Sequence, residues 1–233
     1  MKTGKKIWLI LAISMVALAL GASGALANTL SYSNNANTNI VFTGTGDTFT
    51  FVDLTGLGNR DIQITGSLPP GSPAIGLFGD IDGTYQIGAI TTTGGLQTAP
   101  VTSVAGPENH TFSITDALNF QLSGTIAWVD IWTLQVNGGL NIAGVANLTG
   151  ITYTGANLAL IALRDAGYAD VVMSWTFDPA MNLTALTTDG TTHNTAYSGT
   201  INYNTVPVPP SALLLGSGLL GLGLLRRKWS LKK

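Results

Sequence analysis

The stretch Asp170–Asp178, Asp-Val-Val-Met-Ser-Trp-Thr-Phe-Asp, restricts the fold more than any other. Val171, Met173, Trp175 and Phe177 fall on one face. Asp170, Ser174, Thr176 and Asp178 fall on the other, with Val172 among them. A period of two belongs to a half-buried β-strand, because successive side chains of extended backbone point to opposite sides. The same period runs through Phe49 and Phe51, through Phe112 and Ile114, and through Tyr197, Ile201 and Tyr203, with Gly199 in that last row. Gly124–Val136 is apolar on both faces and reads as a central strand, with Trp128 and Trp132 expected on one face and Asp130 between them.

Turn residues separate these runs. Gly58-Asn59, Asp82-Gly83, Asn137-Gly138-Gly139 and Asp189-Gly190 punctuate them, and Leu68-Pro69-Pro70-Gly71-Ser72-Pro73 has to be a loop. Asn157–Asp170 has the composition of a short helix, but Gly167 interrupts it and strands flank it, so strand followed by turn is the expectation. Many short strands at such spacing predict an all-β fold: a single β-sandwich or jelly-roll-like domain over residues 28–205. Leu122–Trp128 and Tyr197–Tyr203 echo one another, but two matches do not make a repeat.

Charge is segregated along the chain. Eight of the ten basic residues lie near the ends, and all twelve acidic ones lie between them, where the only cations are Arg60 and Arg164. A lysine-free, strongly acidic middle repels nucleic acid and anionic lipid and keeps the domain soluble. The chain has no cysteine, which excludes disulfides, thiol catalysis and cysteine-ligated zinc or iron–sulfur clusters.

Both ends read as addresses. Lys2, Lys5 and Lys6 precede the apolar run Ile7–Leu20, and Ala25-Leu26-Ala27 follows as a small-residue site. These three parts form a secretory signal helix over residues 1–27, cut after Ala27. At the other end, Ala212–Leu225 is apolar apart from Ser217. With Val206–Pro210 it reaches about twenty residues, the minimum for a membrane-crossing helix. Arg226, Arg227 and Lys228 then stop translocation and stay cytoplasmic, which puts the acidic domain outside. Pro207, Pro209 and Pro210 hold the outer boundary extended, as a processing enzyme requires.

Val206-Pro207-Val208-Pro209, then Gly216-Ser217-Gly218-Leu219-Leu220-Gly221-Leu222, then Arg226-Arg227-Lys228 resembles the PEP-CTERM sorting tail of bacteria that make extracellular polysaccharide. Val208 stands where the name-giving glutamate would be. The resemblance covers residues 206–233 and says nothing about the fold upstream. It implies recognition by an exosortase, an integral-membrane cysteine transpeptidase that removes the tail near the prolines, and a role near exopolysaccharide or biofilm.

The middle offers little chemistry. His110 and His193 lie far apart and in no His-Glu-x-x-His pattern, so both read as ordinary surface or strand-end residues. No serine occupies a Gly-x-Ser-x-Gly elbow, and no Gly-rich loop carries a phosphate-binding lysine. Asp80 and Asp82 in Gly-Asp-Ile-Asp-Gly form a fragment of a calcium loop, but no acidic ligand follows from Thr84 to Gln97, and a hairpin turn explains them better. Arg60-Asp61 and Arg164-Asp165 read as exposed pairs of small structural weight. Trp128, Trp132 and Trp175 read as core. Asn109, Asn147 and Asn182 begin glycosylation sequons, a pattern weakened by the bacterial context. No catalytic residue, metal or cofactor is expected. The expectation is a non-enzymatic surface or extracellular-matrix protein whose partners are an exosortase-like transpeptidase, the membrane before processing, and extracellular polysaccharide, not nucleic acid. The rivals are a polysaccharide-active enzyme using a carboxylate pair and a carbohydrate- or calcium-binding module.

Overall fold

Alternating apolar residues become strands across the chain. The computed structural model describes residues 27–35, 39–52, 60–105, 110–134 and 143–204. The strands are β1 (Ala27–Asn34), β2 (Asn39–Thr43), β3 (Thr48–Val52), β4 (Ile62–Leu68), β5 (Phe78–Ile81), β6 (Thr84–Ile87), β7 (Thr91–Thr93), β8 (Leu96–Ser103), β9 (Thr111–Thr115), β10 (Gln121–Leu134), β11 (Ala143–Thr152), β12 (Tyr168–Thr176) and β13 (Thr192–Asn204). Two short helices, α1 (Leu158–Ala166) and α2 (Leu183–Thr188), flank β12 in the chain. The segments expected to be a signal helix (before Ala27) and a sorting tail (206–233), the turns expected at Gly58-Asn59 and Asn137-Gly138-Gly139, and the Asn109 sequon lie outside the described residues. Among the described residues no helix is long and apolar enough to cross a membrane.

All the pairings are antiparallel and link the strands into one sheet. Its middle is β10-β11-β12-β13. The two outer strands of that group change partner along their length. β10 pairs with β9 through Gln121–Thr125 and with β8 through Asp130–Leu134. β13 pairs with β2 through Thr192–Thr195 and with β1 through Ser198–Asn204. The strand order therefore closes twice, once through β1-β4-β5-β9 and once through β2-β3-β6-β8. Closure satisfies strand edges that would otherwise stay open to pairing with another chain.

The inward rows meet in an aromatic core. Phe42, Phe49, Tyr85 and Trp175 are fully buried, and Phe51 and Trp128 nearly so. Trp128 and Trp175 lie 5.6 Å apart between ring centroids, and Phe49 stands edge-on to Trp128 at 5.3 Å. Each such side chain contributes about 2–3 kcal/mol by leaving water.

Trp128 and Trp132 do not share a face. The β10–β11 register slips between Trp128 and Asp130. One extra residue in a strand reverses which side chains face inward. Beyond the slip Ile131 and Thr133 are buried, while Trp132 is only half-buried, so the bulge turns it out of the core row.

Asn157–Gly167 is a helix, not a strand. The Asn157 side chain accepts from the backbone N–H groups of Ala159 and Leu160, which caps the first turn. Leu160 and Leu163 bury the inner face. Gly167 takes φ 71°, and its N–H reaches the Arg164 carbonyl. Interruption by glycine is thus the stop signal of this helix: the left-handed turn after a last helical turn favours a residue without Cβ. Helix α2 is capped likewise by Asn182, whose side chain accepts from Ala185 N–H at 2.8 Å.

Asp82-Gly83 is not a hairpin. β5 pairs with β4 and β9, whereas β6 pairs with β3 and β8. The dipeptide carries the chain from one ring of strands to the other. A hairpin does form at Gly94-Gly95, between β7 and β8, where φ is 58° and 85°. Two positive φ values in a two-residue loop match the twist of the flanking strands.

Candidate functional site

The polar groups of the middle fall into three clusters. The first lies on β4 and β5. Asp80 pairs in register with Ser113 on β9. Asp61 directly precedes Ile62, whose partner Gly79 directly precedes Asp80. Asp61 and Asp80 are therefore neighbours across two strands, and they are only 3% and 5% exposed. Burial of Asp61 corrects the expectation of an exposed Arg60-Asp61 pair. Arg60 is exposed and lies over the Phe78 ring at 5.3 Å, a cation–π contact. The Asp61 carbonyl accepts from Asn35 N–H at 2.7 Å.

Asp82 stands two residues beyond Asp80. Its N–H donates to the Thr111 carbonyl, and its Oδ2 accepts from the Thr111 hydroxyl, both at 2.9 Å. Its carbonyl accepts from Tyr85 Oη at 2.9 Å. These bonds fix the crossover between the rings. His110 packs edge-on against Tyr85 with its Nε2 3.1 Å from the Thr84 carbonyl. Burial pushes the Tyr85 phenol far above its ordinary range. Among the described residues no three His, Asp or Glu side chains are placed to hold a metal ion.

The second cluster is Asp189, Thr191 and His193, where the turn after α2 enters β13. His193 Nε2 lies 2.6 Å from Asp189 Oδ2 and 2.8 Å from Thr191 Oγ1. A hydroxyl–His–carboxylate relay uses both ring nitrogens, one for each partner. Here a single nitrogen meets both groups, which closes the turn and does not activate the hydroxyl. The Thr191 N–H, and then His193, hold the Asp189 carboxyl below its ordinary range. His110 and His193 sit in different clusters.

The third cluster joins three loops at one pole of the sheet. Tyr153 Oη donates to Asp116 Oδ2 at 2.5 Å. Asp116 Oδ1 accepts from Leu118 N–H at 2.8 Å and Phe120 N–H at 2.9 Å. Tyr153 Oη in turn accepts from Asn157 N–H, and Asn157 Nδ2 donates to the Pro73 carbonyl. Arg164 pairs with Asp165 at 2.7 Å and also donates to the Tyr153 carbonyl, so it has a structural part beyond a surface pair. Sequence reasoning missed this cluster. Its signal is Asp116-Ala-Leu-Asn-Phe, an aspartate opening a tight loop by binding amides just ahead of it.

Desolvation raises the Asp116 pKa, but the bonds from Tyr153, Phe120 and Leu118 prevail and hold it below the ordinary carboxylate value. A depressed folded pKa stabilises fully above the unfolded value, about 3.9, and that stabilisation is lost as pH falls through the folded pKa. Asp116→Asn is expected to cost about 1–2 kcal/mol at neutral pH. The gap from wild type should narrow as pH falls below about 4. Urea midpoints measured across that range for both proteins check this; a constant gap contradicts it.

The remaining candidates are placed as follows. Trp128 and Trp175 are core. Asn147 accepts from Tyr168 Oη at 2.8 Å, so two of the sequon asparagines, Asn147 and Asn182, already serve as hydrogen-bond acceptors within the fold. Ala27 opens β1 opposite Asn204. Ala25, Val206, Pro207, Val208, Pro209, Arg226, Arg227 and Lys228 lie outside the described residues. Comparison with protein-family models, with curated proteins and with solved structures gave no match.

Proposed function

We propose that this chain is an exported bacterial surface or extracellular-matrix protein, non-enzymatic, and associated with exopolysaccharide or biofilm. Its C-terminal segment holds it for a time in the cytoplasmic membrane, and an exosortase-like transpeptidase releases it. One observation carries the reading. Val206-Pro207-Val208-Pro209, an apolar run and Arg226-Arg227-Lys228 follow one another at the end of a chain that opens with a secretory signal pattern.

Two features of the sheet support it. Ala27 and Asn204 are partners on adjacent strands, so the chain enters and leaves the β unit at one place, as suits a domain hung from a membrane. The unit itself we read as a sandwich or jelly-roll-like body, held by strand pairing and packing without cysteines. A polysaccharide-active enzyme would need two carboxylates facing each other across a cleft that a polymer can enter, and the Asp61–Asp80 pair, 3% and 5% exposed, is not such a pair.

Mass spectrometry of the protein recovered from its native host tests the proposal. The expected mature chain begins at Asn28 and ends among residues 205–210. Pro207→Ala/Pro209→Ala is expected to keep the tail. Recovery of the intact 233-residue chain from the cytoplasm would refute export and processing together.

A further inference from the structure

Large apolar side chains gather at the pole where the chain enters and leaves. The register puts Thr29 of β1 against both Asn202 of β13 and Leu68 of β4. It likewise brings the end of β9 to the starts of β5 and β10, and the start of β12 to the end of β11. Six of the nine exposed large hydrophobics among the described residues sit here: Leu68, Ile75, Leu118, Phe120, Leu158 and Tyr168. Leu68, Leu118 and Leu158 are 63%, 70% and 73% exposed. Loose backbone does not explain this exposure. The third cluster bonds the loops to one another, and Asp116 N–H closes its own loop on the Phe120 carbonyl. A grouped apolar surface of this kind marks an interaction site.

Charge distinguishes this pole from the opposite one. Among the described residues at this pole, Asp116 is buried, Arg164 balances Asp165, and the half-buried Asp170 accepts from Tyr168 Oη. At the far pole Asp47, Asp178 and Asp189 are exposed. Through Ile87, Val101 and Pro100, Asp47 stands level with Val129 and Asp130 of β10, eight or nine residues and so about 26–30 Å of strand from Gln121. That is several times the Debye length of about 8 Å at physiological salt, so the far acids do not repel a surface met by the apolar pole.

We infer that this pole docks on the lipid bilayer, its apolar side chains entering the headgroup boundary. The inference rests on the anchoring reading above. Residues 205–211 separate Asn204 from the apolar run that begins at Ala212, and seven residues reach at most about 25 Å. A chain anchored by that run keeps this pole, and not the acidic one, within reach of lipid. Copies anchored in one leaflet all turn the pole the same way, so they cannot cover it pole to pole. Shallow burial of a few apolar side chains at the headgroup boundary is the chemistry of interfacial binding.

The cysteine-free chain makes a direct test available. Full-length Leu118→Cys and Leu158→Cys, with Thr92→Cys at the far pole, are labelled with an environment-sensitive fluorophore. Each is reconstituted in phosphatidylethanolamine–phosphatidylglycerol vesicles. Nitroxide carried on the acyl chains is expected to quench the labels at 118 and 158 at least about threefold more than the label at 92, and aqueous iodide should show the reverse order. Adding Leu118→Asp/Leu158→Asp to an Ile75→Cys probe should abolish its lipid quenching while the protein still floats with the vesicles. Flotation with equal quenching at all three positions overturns the docking and leaves the anchor standing. Labels at 118 and 158 shielded from both quenchers would mean that a second copy covers the pole, which also overturns it. Failure to float removes the anchor and the docking with it.

Discussion

Gly199→Ala is expected to destabilise the β unit by about 3 kcal/mol, a large fraction of the roughly 5–15 kcal/mol that keeps an ordinary domain folded. A Cβ at 199 would stand 2.1 Å from the Val172 carbonyl oxygen and 2.5 Å from Tyr32 Oη. The first neighbour is backbone and does not rotate away. Gly199 is paired to Tyr32 on one side and Met173 on the other, so β13 has no free direction in which to move. Tyr32 is itself buried, and burial drives its phenol pKa far above the ordinary value, so it does not leave its place by ionising. Gly66→Ala is the control, because its nearest neighbour is the Ser31 Cβ at 3.5 Å, an ordinary contact. At a site with room, the stiffer unfolded chain makes this exchange neutral or stabilising by up to about 1 kcal/mol. Urea denaturation followed by far-UV circular dichroism should give opposite or clearly separated shifts. Equal midpoints for the two variants would mean that the Tyr32–Gly199 contact is not a tight one.

That pairing of a ring with a glycine recurs. Gly144 faces the rims of Trp128 and Trp175, Gly155 faces the Tyr153 hydroxyl, and Gly83 lies under Tyr85. A glycine within an apolar row is therefore a seat for an aromatic side chain as well as a weak point in a strand. Gly199 stands in its row in the sequence, but its partner, 167 positions earlier at Tyr32, does not. Leu122–Trp128 and Tyr197–Tyr203 illustrate a related point. Their likeness marks the two strands that change partner along their length, with Gly124 and Gly199 both facing inward between buried neighbours. Similar tasks account for it without a repeat.

The rows through Phe49, Phe112, Val171 and Tyr197 were legible because alternation is local and burial follows it directly. Trp132 was not, because the bulge at Val129 depends on how β11 runs beside β10. Gly167 looks like a break in the sequence and is a cap in the fold, and Asn157 ten residues earlier supplies the matching start. Gly94-Gly95 carries a plain hairpin signal, two adjacent glycines between β7 and β8. Asp82-Gly83 carried one that was misleading, since the same dipeptide also suits a crossover, and only pairing tells them apart. Burial of Asp61 is likewise a property of the assembled sheet. Of the candidate site, the sequence pattern alone supplied the proposed sorting tail, whereas the apolar pole required knowing that residues 68, 118 and 158 meet at one end of the body.

Trp175→Ala is the second large effect. The indole is fully buried, with Phe42, Phe49 and Trp128 at 5.7, 5.9 and 5.6 Å between centroids. Phe42 and Phe49 lie on β2 and β3, so the ring joins two opposed parts of the sheet. Neighbours held on paired strands collapse little into a void, and the expected loss is about 3–5 kcal/mol. The indole N–H separates two contributions. It is buried without a hydrogen-bond partner among the described residues, a state that ordinarily costs about 1–3 kcal/mol. Trp175→Phe keeps much of the ring and removes that donor, so it should cost less than about 2 kcal/mol. Chemical denaturation of wild type and both variants gives the three values needed. A phenylalanine as costly as alanine would show that the N–H is bonded after all, through a water sealed in the core, and that Trp175 holds the strands by polarity as well as by volume.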